Sequence, residues 1–292
     1  MQQGEWLAKR FEENRGHLRA VAYRMLGSAS EAEDAVQEAW LRLSRSDADS
    51  IENLGAWLTT VVARVCLDAL RSRAARRVES LEEEASRTLP DKTGGNPEQE
   101  TILADSVGLA VMVVLDRLAP AERLAFVLHD MFAMPFEEIA SIVGRSPAAT
   151  RQLASRARRR VQGQAPVPKT NLIEQRRVAD AFLAALRGGD FEGLIAVLDP
   201  NIVVHLDATA GSGAPREIHG ATNWAKGALA FSRQLTGSIE PMLVDREVGL
   251  VWARQERLLR VLRFTVAEGK ITTIDIIADP ARLREFDFAV LP

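Results

Sequence analysis

A single cysteine, Cys66, stands among 292 residues. One thiol cannot form an internal disulfide, and it fits a reducing, cytoplasmic compartment. Cysteine-based zinc sites are excluded with it, and the four histidines show no ligand spacing. No metal and no cofactor is therefore expected. Long apolar runs are absent too. None approaches the roughly 20 residues of a membrane-spanning helix, so no membrane partner is expected. Residues Met1 to Arg10 are charged and lack the apolar stretch of a signal peptide. An excess of one charge sign is also missing, since 37 Lys and Arg face 40 Asp and Glu.

That near-balance is an average over opposed patches. From Arg64 to Arg77 there are five arginines (64, 71, 73, 76, 77) and one acid, Asp68. From Arg145 to Arg160 there are six arginines (145, 151, 156, 158, 159, 160) and no acid. Between them, Glu79 to Asp105 carries eight acids (79, 82, 83, 84, 91, 98, 100, 105) against Arg87 and Lys92. Nucleic-acid binding follows local patches, not the net charge of −3.

The length suggests two or three domains. Residues 1 to 77 read as helices: Phe11, Leu18, Val21, Ala22 and Met25 recur at helical spacing, as do Ala32, Ala35, Val36, Ala39, Trp40 and Leu43. Ser30 with Glu33 makes a capping box for the second helix. A third helix, from Trp57 to Leu70, ends in arginines. Residues 78 to 99 form an acidic linker punctuated by Pro90, Gly94, Gly95 and Pro97. Helices resume from about 100 to 165, and Gly163 to Pro168 is a second break. The remainder, 170 to 290, changes class. A helix over Ile173 to Arg187 and a short one to Leu198 precede β-branched runs at Ile202–Leu206, Leu243–Arg246, Leu250–Gln255, Leu258–Val266 and Ile271–Ile277. Glu268-Gly269 signals a tight turn between the last two. This order predicts an α+β domain.

Phe136 to Gly144, followed by Arg145 to Ala154, is a helix-turn-helix pattern. Phe136, Ile139, Ala140 and Val143 give the first helix one apolar face, and Gly144 supplies a permissive turn. Ser146 caps the second helix and Pro147 sits in its first turn. Ala149, Leu153 and Ala157 then face inward. Thr150, Arg151, Gln152, Ser155, Arg156 and Arg159 face outward, where a recognition helix meets bases and phosphates. A solvated basic helix is the bland alternative, but such faces normally mix signs. The first basic segment is more open: its arginines either grip phosphates or complement a helix C-terminus. Trp57 either stacks on a base or packs in the core.

Two separated blocks carry a resemblance. Val21 to Gly27, Glu31 to Trp40, Ala56-Trp-Leu and Cys66 to Ser72 resemble region 2 of the extracytoplasmic-function (ECF) sigma factors of the sigma-70 family. Glu122 to His129 with Phe136 to Val161 resembles region 4. The resemblance implies two all-α domains, a region 2 bundle and a region 4 helix-turn-helix. It implies that Asp34, Gln37, Glu38 and Leu41 dock on the β′ clamp helices of RNA polymerase. The core enzyme, through those helices and the β flap, and promoter DNA are the implied partners. The loop Ser46 to Asn53 and the basic helix, with Arg64, Asp68, Arg71, Arg73, Arg76 and Arg77, would engage the −10 element. Arg64 departs from the asparagine of many relatives. Arg151, Gln152, Ser155, Arg156 and Arg159 would read the −35 element.

The last part is similar to the SnoaL-like branch of the nuclear-transport-factor-2-like (NTF2-like) cone folds, a pairing that resembles the SigJ-type sigma factors. Their three short signatures survive only in degraded form. They stand here as Thr88-Leu-Pro-Asp-Lys92 (with Leu89 and Pro90), Asp207 to Gly213 (with Gly211) and Asp279-Pro-Ala-Arg-Leu283 (with Pro280). The resemblance implies that these segments belong to cis regulation of the sigma core. Enzymatic chemistry is not expected. Its candidates would be His205, Asp207, His219, Asp199 and Asp275, yet Asp207 and His219 also suit turn chemistry. An unknown small ligand in the cone is the remaining candidate partner. Two other readings stay open: a helix-turn-helix regulator with a ligand-sensing cone, and a cone-fold enzyme with a DNA-binding appendage. The second would show a hydrophobic pocket with a buried acid.

Overall fold

The computed structural model describes residues 2–46, 51–83, 108–163, 169–211, 213–234, 237–254 and 257–291. Leu89, Pro90 and most of the acidic linker lie outside the described residues. The chain divides into two compact units, Met1–Val107 with Leu115–Arg158, and Gly108–Val114 with Arg159–Pro292.

The first unit is all-helical, as expected. α1 (Gln2–Leu26), α2 (Ala29–Leu43) and α3 (Leu54–Glu83) pack on one another through fully buried Leu18, Met25, Leu43, Leu58 and Leu67. Buried residues recur every three or four positions, as at Leu18, Ala22 and Met25 of α1 and Ala32, Ala35, Ala39 and Leu43 of α2, so each helix turns one apolar stripe inward. The cap of α2 differs from expectation. Ser28, not Ser30, receives the Glu31 N–H, because Gly27 in the left-handed region (φ 77°) ends α1 and lets α2 begin at Ala29. Glu33, freed from capping, pairs with Arg15 of α1.

Next come α4 (Leu109–Leu115), α5 (Pro120–Phe126), a π-helical turn (Val127–Met131), α6 (Phe136–Val143) and α7 (Pro147–Gln162). α5 and α6 pack against α3, and the π-helical turn packs against α1. Arg123 of α5 is 2% exposed at this junction, and its Nε–H donates to the Arg24 carbonyl of α1 at 3.1 Å. Cys66 is buried nearby, and burial pushes its thiol pKa up to about 12, with the Arg123 charge acting in the opposite sense.

The second unit is α+β. α8 (Lys169–Gly188), α9 (Phe191–Val197) and α10 (Ala221–Ser232) accompany a seven-stranded mixed sheet. Its strands are β1 (Leu198–Leu206), β2 (Arg216–His219), β3 (Ser238–Val244), β4 (Glu247–Arg254), β5 (Arg257–Ala267), β6 (Lys270–Ile277) and β7 (Phe288–Ala289), with α11 (Pro280–Glu285) before the last. They lie in the order β2-β1-β6-β5-β4-β3-β7, and among the described residues only β1 and β6 run parallel. Phe182 of α8 meets Trp224 of α10 and Phe264 of β5, which closes the core between helices and sheet. Glu268-Gly269 forms the expected tight turn, both residues having positive φ. A second such turn, Asp245-Arg246, joins β3 to β4. β2 and β7 have no counterpart among the expected strands, being too short to show alternation.

Candidate nucleic-acid interface

The helix-turn-helix forms as its residues require. Gly144 closes α6 in the left-handed conformation (φ 75°), and the Ala140 carbonyl accepts the Gly144 and Arg145 N–H groups. Ser146 Oγ accepts the Ala149 N–H at 3.2 Å, so the serine caps α7, with Pro147 in its first turn. Leu153 and Ala157 are buried, and Ala149 is half-buried. Arg151, Gln152, Ser155, Arg156 and Arg159 are exposed on the other side.

Thr150 corrects the expectation. Its side chain is wholly buried, and its hydroxyl donates to the Ser146 carbonyl. It lies three residues before Leu153, on the inner stripe, so it braces the turn and does not reach bases.

The arginines of α7 are not all free. Arg151 pairs with Glu137 of α6 at 2.8 Å and stacks over Phe136. Arg156 pairs with the buried Glu122 of α5 at 3.1 Å. Arg158 pairs with Asp130 of the π-helical turn. Among the described residues Arg145 and Arg159 are exposed and have no partner. The acids that hold the others were not anticipated as part of the site. They lie 14 to 34 positions away in sequence, beyond any local pattern.

On α3, Arg64, Asp68, Arg71 and Arg76 are exposed. Arg71 lies 3.9 Å from Asp68. Arg73 is a second correction. Its guanidinium donates to the Leu26 carbonyl at 3.1 Å and to the Glu31 carboxylate. It ties α3 to the α1–α2 junction, with its side chain 35% exposed. The side chain of Arg77 lies outside the described residues, as do loop residues 47 to 50. Trp57 is half-buried. On α2, Asp34, Gln37 and Leu41 are exposed and Glu38 is half-buried, reaching Arg42 at 2.9 Å. Their spacing of three and four places them on one solvent face, with Leu41 39% exposed.

In the second unit two of the three degraded signatures, Asp207 to Gly213 and Asp279 to Leu283, meet. Asp207 Oδ1 accepts the Ala210 N–H, and Oδ2 accepts those of Ala278 and Asp279, each at 2.8 Å. Burial acts to raise the Asp207 pKa, but these three bonds and the Arg282 charge outweigh it, and the net shift is downward. Asp279 in turn caps α11 through the Ala281 and Arg282 N–H groups, and Leu283 is buried. Pro280 opens α11 on the surface. Gly211 admits no side chain, because a Cβ there would fall 2.2 Å from the Ala214 carbonyl, and Gly213 holds φ at 106°. These residues are thus a joint that ties β1, the glycine loop and α11. His205 hydrogen-bonds Asp275 at 2.8 Å across β1 and β6, with Glu217 at 3.7 Å and His219 beyond it, all partly or fully exposed. Asp207 accepts three backbone N–H groups and its pKa is shifted down, unlike the buried acid with a raised pKa that a cone-fold enzyme would show. The described residues contain no group of three His, Cys, Asp or Glu that would hold a metal ion, and no helix long and apolar enough to cross a membrane.

Known proteins resemble the chain along its whole length. Residues 10–76 match the family model of sigma-70 region 2, and residues 108–161 match that of sigma-70 region 4. The ECF RNA polymerase sigma factor SigJ of Mycobacterium tuberculosis is 38% identical, over 92% of this chain and 91% of its own. A probable ECF RNA polymerase sigma factor, SigI, of the same species is 32% identical over 97% of both. The crystal structure of the M. tuberculosis SigJ covers 95% of this chain and 98% of its own, at 33% identity and a TM-score of 0.47. An NTF2-like protein from Burkholderia xenovorans covers 39% of this chain and 95% of its own, at 23% identity and a TM-score of 0.28. With both sigma-70 regions in order and two relatives above 30% identity over nearly the whole chain, the protein belongs to the ECF sigma factors of the sigma-70 family.

Proposed function

We propose that this protein binds the RNA polymerase core and directs it to promoters through two DNA grips. α7 reads the −35 element with Arg151, Gln152, Ser155, Arg156 and Arg159, and α3 engages the −10 element with Arg64, Asp68, Arg71 and Arg76. The observation that carries this is the outer face of α7, basic and with no acid on the helix itself, presented by a glycine turn. The Asp34–Leu41 face of α2 is the docking surface for the β′ clamp helices. Transcription from a promoter library with reconstituted core polymerase tests the reading. Asp34→Lys with Glu38→Lys should abolish core pull-down and leave DNA binding intact. Core retention by that variant would remove the α2 face from core docking, and failure of the parent protein to retain core would favour the regulator reading, in which the chain binds DNA without polymerase.

The C-terminal unit regulates in cis, and one observation supports a route. The last turn of α7 clusters with that unit: the Val290 N–H donates to the Val161 carbonyl at 2.9 Å. At Gly163 (φ 84°) a Cβ would press on Ala289 at 3.3 Å. α4, the first helix of region 4, clusters there as well. The end of the −35 reader is therefore held by residues near the C-terminus. Val290→Pro removes the donor, and promoter output should change several-fold in the full-length protein. Unchanged output would remove this contact from the regulation.

A further inference from the structure

Arg151 stands in the second turn of α7, near the end of a recognition helix that meets base edges. Two contacts hold its guanidinium from outside the helix. Nη2 donates to Glu137 Oε1 at 2.8 Å, and the group lies 5.6 Å from the centre of the Phe136 ring. Both partners come from the first turn of α6, on the other side of the Gly144 turn. Gln152 and Ser155, which share the outer face, have no side-chain hydrogen bond among the described residues.

Phe136 is itself fixed. Its ring stacks on that of His129, with centres 3.8 Å apart and 25° between the planes. His129 Nδ1 lies 3.0 Å from the Met134 carbonyl, which can only accept, so that nitrogen carries the proton and the imidazole is anchored. His129 belongs to the π-helical turn, whose next residue, Asp130, pairs with Arg158 two turns further along α7.

Stability does not account for the Arg151–Glu137 pair. The two side chains are 55% and 63% exposed, a setting in which an ion pair contributes little. Affinity does not account for it either, because a carboxylate beside a DNA-reading helix repels every duplex alike. What the two contacts do is restrict direction. An arginine without them samples many rotamers and meets phosphate as readily as bases. With a ring against it and a carboxylate on Nη2, the guanidinium still has Nε and Nη1 without a partner among the described residues, and these donors suit a base edge. Turning to a phosphate would cost it Glu137.

We propose that Glu137 and Phe136 are positioning residues for promoter selectivity, which fix Arg151 toward one base pair of the −35 element and away from the DNA backbone. This rests on the promoter reading of α7 and adds how that helix discriminates.

Core polymerase reconstituted with the full-length protein transcribes a promoter library randomised across the −35 region, and the transcripts are sequenced. Arg151→Lys keeps the charge and removes the planar fork, so the position where it relaxes the base preference is the one Arg151 reads. Glu137→Ala should relax the preference at that same position about threefold to fivefold, without lowering total output. Glu137→Gln keeps an acceptor for the guanidinium and should restore most of the preference. Phe136→Leu keeps the apolar face of α6, loses the stack, and should relax the same position. A parental preference in folded Glu137→Ala overturns the proposal. Equal relaxation by Glu137→Gln also overturns it, since charge repulsion would then be the whole effect. If no position responds to Arg151→Lys, the assignment of Arg151 to the −35 element falls together with the proposal, which separates the two failures. If Phe136→Leu does not fold, the exposed Glu137 variants decide.

Discussion

The two arginine-rich helices look alike in sequence and differ in the fold. α3 carries its arginines outward with little compensation: Arg64 and Arg76 have no ion pair among the described residues, and Arg71 faces only Asp68 at 3.9 Å. α7 lies against an acidic cradle of Glu137, Glu122 and Asp130. Charge in sequence is therefore not charge available to DNA. On the proposed function, Arg64 or Arg76 of α3 would meet phosphate directly, whereas Arg151 and Arg156 would first give up a carboxylate. The cradle also orients the helix, so α7 exchanges some binding strength for a fixed presentation. Between the two stands α5, packed against α3 around the buried Arg123. Promoter elements recognised together are spaced by about 20 to 25 base pairs, roughly two turns of duplex. On the proposed function, promoter binding would have to separate α3 from α7 within the unit that holds α3 and most of α7.

The largest expected effect comes from breaking that junction. Arg123→Ala removes a buried cation from the Arg24 carbonyl and Asp116, and should cost about 3 kcal/mol in urea unfolding. Cys66 reports the same event. Buried, with its pKa near 12, it should resist alkylation at pH 8 in the parent protein and react many-fold faster in the variant. A parent-like labelling rate would mean that Arg123 does not hold the junction.

The next contrast sharpens the difference between the helices. Arg64→Ala with Arg71→Ala should weaken promoter binding and lower the salt slope by about one unit per lost phosphate contact, without changing stability. Arg156→Ala should weaken binding and also destabilise by about 1 kcal/mol, because the buried Glu122 loses its ion pair. Identical behaviour of the two helices would refute the cradle. Arg73→Ala is the internal control on α3. It should cost about 1 to 2 kcal/mol of stability through the Leu26 and Glu31 bonds and leave the salt slope of binding unchanged.

These contrasts show where sequence was legible and where it was not. The helical stripes, the Gly144 turn, the Ser146 cap and the outward Arg151, Gln152, Ser155, Arg156 and Arg159 follow from periodicity and turn chemistry, which act within a few residues. The errors are of another kind. Thr150 falls on the inner stripe of α7, and a one-position judgement of helical phase decides whether it faces bases or core. Arg73 is charged and lies in a basic run, so only the tertiary position of Glu31, 42 residues earlier, reveals its structural role. Arg123 is hidden more deeply, because nothing in a sequence marks an arginine as 2% exposed. The cone signatures were legible as motifs but not as a mechanism. Asp207 and Asp279 meet through backbone N–H groups, which every residue carries.

The smallest effect probes the junction from the α1 side. His17 sits edge-on to Phe132 at 5.2 Å, in a groove that also contains Asn14, Thr59 and Glu138, and Arg24 covers the same phenyl ring. Burial lowers the His17 pKa below its ordinary 6.5, so the folded state prefers the neutral ring. The unfolded chain then takes up the proton first as pH falls. The stability contribution is complete above pH 6.5 and is lost as the pH drops from there through the folded pKa. The ring is only half-buried and Glu138 borders the groove, so the loss should be about a few tenths of a kcal/mol. His17→Phe keeps an aromatic ring against Phe132 and removes the titration. Between pH 7.5 and 5.5 its urea midpoint should fall less than that of the parent protein. Parallel pH slopes would show that α1 holds the π-helical turn by packing alone, leaving Arg123 as the charged group that fixes the junction.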